Sequence, residues 1–221
     1  MSDRPILFSA PMIRALLAGT KTQTRRIGKV RKGILLDDFE WDGLPGTIRS
    51  GRAKKEHIVV PFSVGDRLWV RETWQALSPG DFQPTKSSQS EVRYAATDPC
   101  ADLDAEARGY PWRPSIFMPR WASRLTLVVT DVRVERLQDI SRDDAVAEGL
   151  SRKPYASPLA KEMGCDWGYD GDDRHGSPVS AYAALWESIN GPSSWNANPW
   201  IVAYTFTVHH GNIDEIGRAA A

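Results

Sequence analysis

Cysteine is nearly absent from this 221-residue chain, which contains only Cys100 and Cys165. Both lie in loop-like sequence, without a CxxC pair or a histidine at metal-binding spacing, so we expect neither a zinc site nor a disulfide framework. Long apolar runs are also missing, and no charged-then-apolar leader opens the chain. We therefore predict a cytoplasmic protein without a membrane partner.

An excess of either charge is missing as well, because 28 Lys and Arg residues balance 28 Asp and Glu residues. This balance argues against a protein that coats nucleic acid through bulk electrostatics. A local basic groove is still compatible with the sequence, and nine Trp residues offer rings on which bases could stack. The basic run without an intervening acid comprises Lys21, Arg25, Arg26, Lys29, Arg31 and Lys32.

Short extended segments outnumber helical ones along the chain. The predicted strands are residues 5–8, 57–62, 67–74, 92–97, 124–137 and 200–208. Helices are predicted after Ser9, after Ser141 and over Pro178–Asn190, from capping residues and apolar spacing. In the longest strand the apolar phase changes near Thr130, which indicates a β-bulge of the kind that bends barrel strands.

These patterns predict an α+β fold: a small β-barrel with short flanking helices. We treat residues 1–221 as one domain. Three excursions from it have little apolar period and are expected to be long loops: residues 28–56, 76–114 and 150–177.

One short stretch concentrates reactive side chains: Gly19-Thr20-Lys21-Thr22-Gln23-Thr24-Arg25-Arg26. A lysine and a threonine held together can activate a hydroxyl or a water, and arginines can hold an anion. The alternative is a solvated basic strand that leaves a helix. Residue types alone do not decide between the two.

Several blocks, taken in order, resemble the ASCH domain family, whose members are PUA-like barrels that bind RNA or nucleotides. The blocks are residues 19–26, Gly65-Asp66-Arg67-Leu68-Trp69-Val70-Arg71-Glu72, the strand over 125–137 with Asp139-Ile140-Ser141, Ala145 and Glu148-Gly149 after it, and residues 200–206. The segments 118–124 and 198–200 are similar to those of long members from phages and prophages. The resemblance covers about half of the chain.

Small bacterial members of that family are N4-acetylcytidine amidohydrolases that use a Lys, a Thr and a Glu. The resemblance implies that Lys21, Thr24 and Glu148 are the corresponding catalytic residues, without a metal or cofactor. This chain departs from those enzymes in Arg25, which stands where they have an aliphatic residue, and in being about twice as long.

The chemistry needs a nucleophile, a proton shuttle and a donor for the developing oxyanion. Thr24 could supply the hydroxyl or hold the water, and Lys21 could take the proton if burial lowers its pKa. Glu148 could orient Lys21 or protonate the leaving amine. Because residues 21 and 24 face opposite sides of a regular strand, the chain must kink or Lys21 must precede the strand.

Further residues are expected to bind the substrate. The alternatives are packing or a rim position for the tryptophans, cross-strand pairing for Arg71 with Glu72, and an ordinary surface position for the other arginines. The rings could stack a base, the arginines and the serine could bind ribose or phosphate, and the glutamate could line a cavity or its rim. They are Arg26, Trp69, Arg71, Glu72, Trp74, Arg120 and Ser123.

Two functions stay open at this point. The first is hydrolysis of an acyl group on the exocyclic N4 of cytidine or a related modified nucleoside. The second is an RNA-binding module or a metal-independent ribonuclease, which the basic run and the Trp content favour.

Overall fold

The computed structural model describes residues 2–30, 39–41, 47–50, 55–80, 83–155, 157–169 and 174–216. The strands within these ranges are β1 Asp3–Leu7, β2 Gln23–Ile27, β3 Lys29–Val30, β4 Phe39–Trp41, β5 Thr47–Ser50, β6 Lys55–Val59, β7 Arg67–Arg71, β8 Trp74–Leu77, β9 Glu91–Tyr94, β10 Leu125–Arg136, β11 Ser151–Arg152, β12 Trp167–Gly168 and β13 Trp200–His210. The helices are α1 Ala10–Leu17, α2 Ala105–Arg108, α3 Arg142–Ala147, α4 Pro158–Glu162, α5 Pro178–Asn190 and α6 Ile213–Ile216.

The helix boundaries follow the capping residues of the sequence. α5 has the predicted bounds: the Ser177 hydroxyl accepts from the Ser180 N–H, Ser180 returns the bond, and Pro178 occupies the first turn. α3 begins after Ser141, whose hydroxyl accepts from the Asp144 N–H, and the chain leaves this helix at Gly149 with φ = 103°. Local capping chemistry is therefore enough to place these helix ends.

Five strands form the main sheet, in the order β1-β7-β10-β13-β2. β1 pairs with β7 in parallel, while β10–β7 and β13–β2 are antiparallel. In the part of the chain that the structure describes, β1 and β2 are the two edges of this sheet, so it is not a closed barrel. The mixed α+β content agrees with the prediction, whereas the closed barrel does not, because no ladder joins the two edge strands.

β10 is the longest strand, as predicted, with 12 residues. Its buried apolar positions change from odd numbers at Leu125, Leu127 and Val129 to an even number at Val134, while the polar Thr126 is also buried. Two consecutive exposed residues, Thr130 and Asp131, lie at the change. The change of phase inferred from the apolar pattern is thus present in the burial pattern.

Within the described residues the three excursions contain short strands and helices as well as loops. β9 Glu91–Tyr94 agrees with the strand predicted over 92–97, whereas the other elements that lie wholly within the excursions were not predicted. Residues 31–38, 42–46 and 51–54 of the first excursion lie outside the described residues. β3 to β6 form a sheet in the order β3-β6-β5-β4. The β8–β9 hairpin and α2 lie in or at the start of the second excursion, and β11, α4 and β12 lie in the third. Antiparallel hairpins are held by local backbone pairing, which apolar periodicity does not report.

Contacts divide the chain into two compact units. The first unit comprises Met1–Gly19, Gly65–Val128 and Thr207–Ala221, and the second comprises Thr20–Val64 and Val129–Phe206. In the first unit a core cluster forms around Trp74, Ala76, Met118 and Ala122. Among the described residues, no helix is long and apolar enough to cross a membrane.

The second unit has a core of its own. α3 and α5 pack against each other there, together with two residues of β13 and with Leu137, which follows β10. The buried members of this core are Leu137, Ile140, Ala145, Leu150, Ala181, Tyr182, Trp186, Ile201 and Ala203.

We expect Leu137→Ala to lower the free energy of unfolding by about 2–5 kcal/mol, because the side chain is fully buried and its loss leaves a cavity. Ile189→Ala is the matched control, since this side chain is 55% exposed at the end of α5 and its loss should cost within about 0.5 kcal/mol. Urea unfolding followed by circular dichroism measures both. Equal costs would contradict the assignment of Leu137 to the core.

Candidate active site

Lys21 lies between α1 and β2 and pairs with the residue that follows α3. Its backbone forms an isolated antiparallel bridge with Glu148. The neighbouring Thr22 N–H donates to the Ala147 carbonyl at 2.8 Å, and the Thr22 carbonyl accepts from the Phe206 N–H at 2.9 Å. Backbone hydrogen bonds on both sides therefore fix the point from which the Lys21 side chain departs.

The Lys21 amine donates to two acceptors of one residue. Nζ lies 2.6 Å from Glu148 Oε2 and 2.9 Å from the Glu148 carbonyl oxygen. Glu148 is the last residue of the α3 turn, where helix carbonyls lack partners within the helix and attract a cation. Lys21 and Glu148, 127 positions apart in sequence, therefore meet at the C-terminal end of α3.

Both members of this pair are withdrawn from water. Lys21 is 0% exposed and Glu148 is 2% exposed. Burial lowers the pKa of Lys21 below its ordinary value, and the attraction of Glu148 opposes this without reversing it. Arg26 and Arg25 lower the pKa of Lys21 further. A lysine with a lowered pKa is the form that general-base chemistry requires.

Arg25 is the centre of a wider buried network. Nη1 donates to Gln23 Oε1 at 2.6 Å and to Glu148 Oε1 at 3.2 Å. Nη2 lies 2.9 Å from Glu135 Oε1 and 3.2 Å from Asp144 Oδ2. The Arg25 side chain has no exposed surface, so its charge is balanced by these three carboxylates and not by water.

One of these carboxylates, Asp144, has further partners. Gln23 Nε2 donates to Asp144 Oδ1 at 3.0 Å, and Arg133 Nη2 lies 2.7 Å from the same oxygen. Although burial raises the pKa of Asp144, hydrogen bonds from Arg133, Gln23 and Ser141 hold it well below its usual range. Asp144 is therefore ionised at any pH at which the protein is ordinarily handled.

Tyr182 on α5 lies beside this network. The Arg25 guanidinium carbon lies 5.9 Å from the centre of the Tyr182 ring. Burial raises the pKa of Tyr182 well above its ordinary value, with the negative charge of Glu148 acting in the same direction. The ring therefore remains a neutral phenol beside the charged groups.

Thr24 points away from this network. It is buried and lies opposite Tyr204 in the β2–β13 ladder. Gln23 and Arg25 on either side of it turn to Asp144 and Glu148, so the strand alternation directs the Thr24 side chain to the other face of β2. The structure thus pairs Lys21 with Glu148 and places Lys21 before the strand, which was one of the two arrangements that the sequence allowed.

Arg26, the remaining predicted residue of the second unit, is half-buried opposite Val202 in the β2–β13 ladder. Burial lowers the pKa of Arg26, and the charge of Glu148 opposes this. Its alternation with Arg25 places it on the same face of β2 as Thr24.

The other predicted substrate ligands belong to the first unit and have partners there. Glu72 is buried and accepts two hydrogen bonds from Arg124, both at 2.8 Å, and the Arg124 guanidinium lies 3.9 Å from the centre of the Tyr94 ring. Burial nevertheless raises the pKa of Glu72. The Ser123 hydroxyl donates to the Val70 carbonyl at 2.9 Å.

Aromatic and charged contacts account for the rest of that set. Arg71 lies over the Trp69 ring at 4.4 Å, and Trp74 is buried with its ring edge against another tryptophan, Trp121, at 6.0 Å. Arg120 forms ion pairs with Asp214 and Asp3, both at 2.6 Å. These contacts are typical of packing, and a role in substrate binding stays a prediction.

The network around Arg25 contains residues that sequence reasoning missed as a group. They are Gln23, Arg25, Glu135, Asp144 and Tyr182. A signal existed in the alternation of polar residues at 23 and 25 on β2 and at 133 and 135 on β10, because charged residues spaced by two on a half-buried strand need partners.

No family model, curated protein or solved structure matches this chain. Within the described ranges, no three His, Cys, Asp or Glu side chains are arranged to hold a metal ion. Both cysteines are free. The geometry of the second unit is therefore the basis on which a function can be argued.

We expect the folded protein to lose stability as the pH falls below about 4, in part through Asp144. Its pKa is lowered from 3.8 on folding, so its contribution is complete above that value and is lost as the folded carboxylate takes up a proton. In Asp144→Asn the free energy of unfolding should fall less steeply with acid. Asp131→Asn, which removes a mostly exposed carboxylate from the same cluster, should keep the wild-type slope. Identical slopes for all three proteins would contradict the network.

Proposed function

We propose that the second unit carries an amidohydrolase site that removes an acyl group from the exocyclic N4 of cytidine or of a related modified nucleoside. The observation that supports this most directly is the buried contact of 2.6 Å between Lys21 Nζ and Glu148 Oε2. Two residues of the predicted catalytic set, far apart in sequence, meet there.

Lys21 is the general base of this proposal. Its neutral amine takes a proton from a water molecule while the water oxygen bonds to the acyl carbonyl carbon. The tetrahedral intermediate then collapses, the carbon–N4 bond breaks, and the Lys21 ammonium returns the proton to the leaving nitrogen. The products are cytidine and a carboxylic acid. Because Lys21 is fully buried in the free protein, the surrounding side chains must move when the substrate binds.

Glu148 orients Lys21 in this scheme. Both of its carboxylate oxygens already accept from a cation, Oε2 from Lys21 and Oε1 from Arg25. A carboxylate whose two oxygens each accept from a different cation is held in one orientation, which suits an orienting group. Of the two roles that the sequence left open for Glu148, the contacts favour orientation.

Thr24 keeps two roles in the proposal, as the hydroxyl nucleophile or as a ligand of the attacking water. Its position on the other face of β2 separates it from the Glu148 carboxylate. An acyl group transferred to Thr24 would appear as a burst of cytidine equal to the enzyme concentration, followed by slower turnover. A water held by Thr24 would give no burst.

We also infer that the chain is a long, phage-type member of the ASCH family with a PUA-like core. Support comes from the residue types at Lys21, Thr24 and Glu148 and from the meeting of the first and last of these. The mixed five-stranded sheet and the few short helices are compatible with such a core.

RNA binding without catalysis receives less support from the contacts. The basic run was its main argument, yet two of the six cations, Lys21 and Arg25, are buried in ion pairs. Cations held by internal carboxylates are not available to phosphate groups. The eight Trp side chains that the structure describes are buried or half-buried.

Incubation of the purified protein with N4-acetylcytidine tests the proposal. We expect release of cytidine, detected by chromatography, and a loss of about 10²–10⁴-fold in kcat for Lys21→Met because the general base is missing. Lys161→Met is the matched control: this lysine is exposed on α4, and its replacement should leave kcat unchanged.

Absence of turnover by the wild-type protein, tried on the nucleoside and on RNA that carries the same modification, would rule out this substrate class. RNA binding that weakens steeply with salt and is unaffected by Lys21→Met would instead support the binding module.

A further inference from the structure

We propose that Arg25 is a positioning residue of this site, which fixes the Glu148 carboxylate and, through it, the Lys21 amine. The consequence for catalysis rests on the proposed function, whereas the effect of Arg25 on Lys21 can be measured without it. In the resemblance to the small amidohydrolases, Arg25 is a departure from their pattern and has no assigned role.

The first support is the way in which the two oxygens of Glu148 are divided. Oε2 accepts from Lys21 Nζ at 2.6 Å and Oε1 accepts from Arg25 Nη1 at 3.2 Å. Rotation of the carboxylate would break one of these contacts in a site from which water is excluded. Without Arg25, Glu148 Oε1 would lose its cation, and the carboxylate could rotate and displace the Lys21 amine that it holds.

The second support is that Arg25 is itself immobilised. Its other edge, Nη2, contacts Glu135 on β10 and Asp144 on α3 at 2.9 and 3.2 Å. Gln23, two residues before it on β2, accepts from Nη1 at 2.6 Å. A guanidinium has donors on two edges in a fixed plane, so it can link Glu148 to both elements at once, as a lysine ammonium cannot.

The third support is the cost of burying such a residue. The Arg25 side chain has no exposed surface, and buried ion pairs are often no more stabilising than apolar residues of the same volume. Stability alone is therefore a weak reason for an arginine among three carboxylates. The contacts give a more direct reason for a buried arginine here, which is that Arg25 fixes the geometry of Glu148.

The charges that face Lys21 make the role measurable. Glu148 raises the pKa of Lys21, while Arg26 and Arg25 lower it. Arg25 in turn faces Glu135, Asp144, Glu148 and the neutral Tyr182. Removal of the Arg25 charge is expected to raise the pKa of Lys21, which a purely structural role would leave unmoved.

The test uses full-length protein labelled with ¹³C and ¹⁵N in its eight lysines. The Lys21 ammonium or amine signal is identified by its loss in Lys21→Met and is followed through a pH titration. We expect Arg25→Gln to raise the pKa of Lys21 and to shift the acid limb of the kcat profile to higher pH. We expect kcat for N4-acetylcytidine to fall by about 10–100-fold, because the general base is displaced, with a smaller change in KM.

Two further variants separate charge from geometry. Arg25→Lys keeps a positive charge, so the pKa of Lys21 should stay near the wild-type value, but one ammonium cannot contact both Glu148 and Glu135 and kcat should still fall. Arg152→Gln is the matched control. The Arg152 side chain is 67% exposed and pairs with Asp166, outside the network around Arg25, so both quantities should remain those of the wild type.

An unchanged pKa of Lys21 and an unchanged pH profile in folded Arg25→Gln would overturn the proposal. Should Arg25→Gln fail to fold, the double variant Arg25→Gln/Glu135→Gln removes the opposing charge as well and carries the same test. Should the wild type not hydrolyse N4-acetylcytidine, the proposed function fails, while the Lys21 titration still decides whether Arg25 acts on Lys21.

Discussion

A buried ammonium in contact with a buried carboxylate is the interaction on which the second unit depends. Lys21 and Glu148 are withdrawn from water, and burial of either charge alone would cost several kcal/mol. Each charge offsets part of the cost of burying the other, so separating the segment before β2 from the end of α3 would be unfavourable. The same burial lowers the pKa of Lys21, which links the requirement of the fold to the proposed chemistry.

Around this pair, charges are balanced across several elements. β2 supplies Arg25, β10 supplies Glu135, and α3 supplies Asp144. Because β2 is far in sequence from β10 and α3, the network forms only when β2 has joined these two elements. Backbone pairing next to Lys21 and the helix end at Glu148 set the geometry of the Lys21–Glu148 pair. Arg25 then holds the Glu148 carboxylate in that geometry.

Much of the local structure follows from the sequence, because its causes are local. Ser177, Pro178 and Ser180 are enough to start α5, and Ser141 with Gly149 brackets the turn that presents Glu148. Strand pairing in the excursions was missed for the opposite reason. The β3-β6-β5-β4 sheet is held by backbone hydrogen bonds between segments that have little apolar period.

The residues of the candidate site also fall into those that the sequence could predict and those that it could not. Lys21 and Glu148 could be chosen because residue type and order resemble a known pattern, and the structure places them in contact. Arg25 was marked only by the polar alternation on β2, and its three carboxylates are recognised only after β2, β10 and α3 are in place. The direction of the Thr24 side chain likewise depends on where β2 begins, a boundary that apolar periodicity does not fix to one residue.

A double-mutant cycle on Lys21 and Glu148 tests the central claim most directly. Unfolding would be measured for the wild type, Lys21→Met, Glu148→Gln and the double variant. The account predicts that each single substitution costs about 3–5 kcal/mol, because it removes the 2.6 Å ion pair of the buried charge that remains, and that the double variant costs clearly less than the sum of the two. Costs that simply add would contradict the account, because they would show that the two charges do not depend on each other.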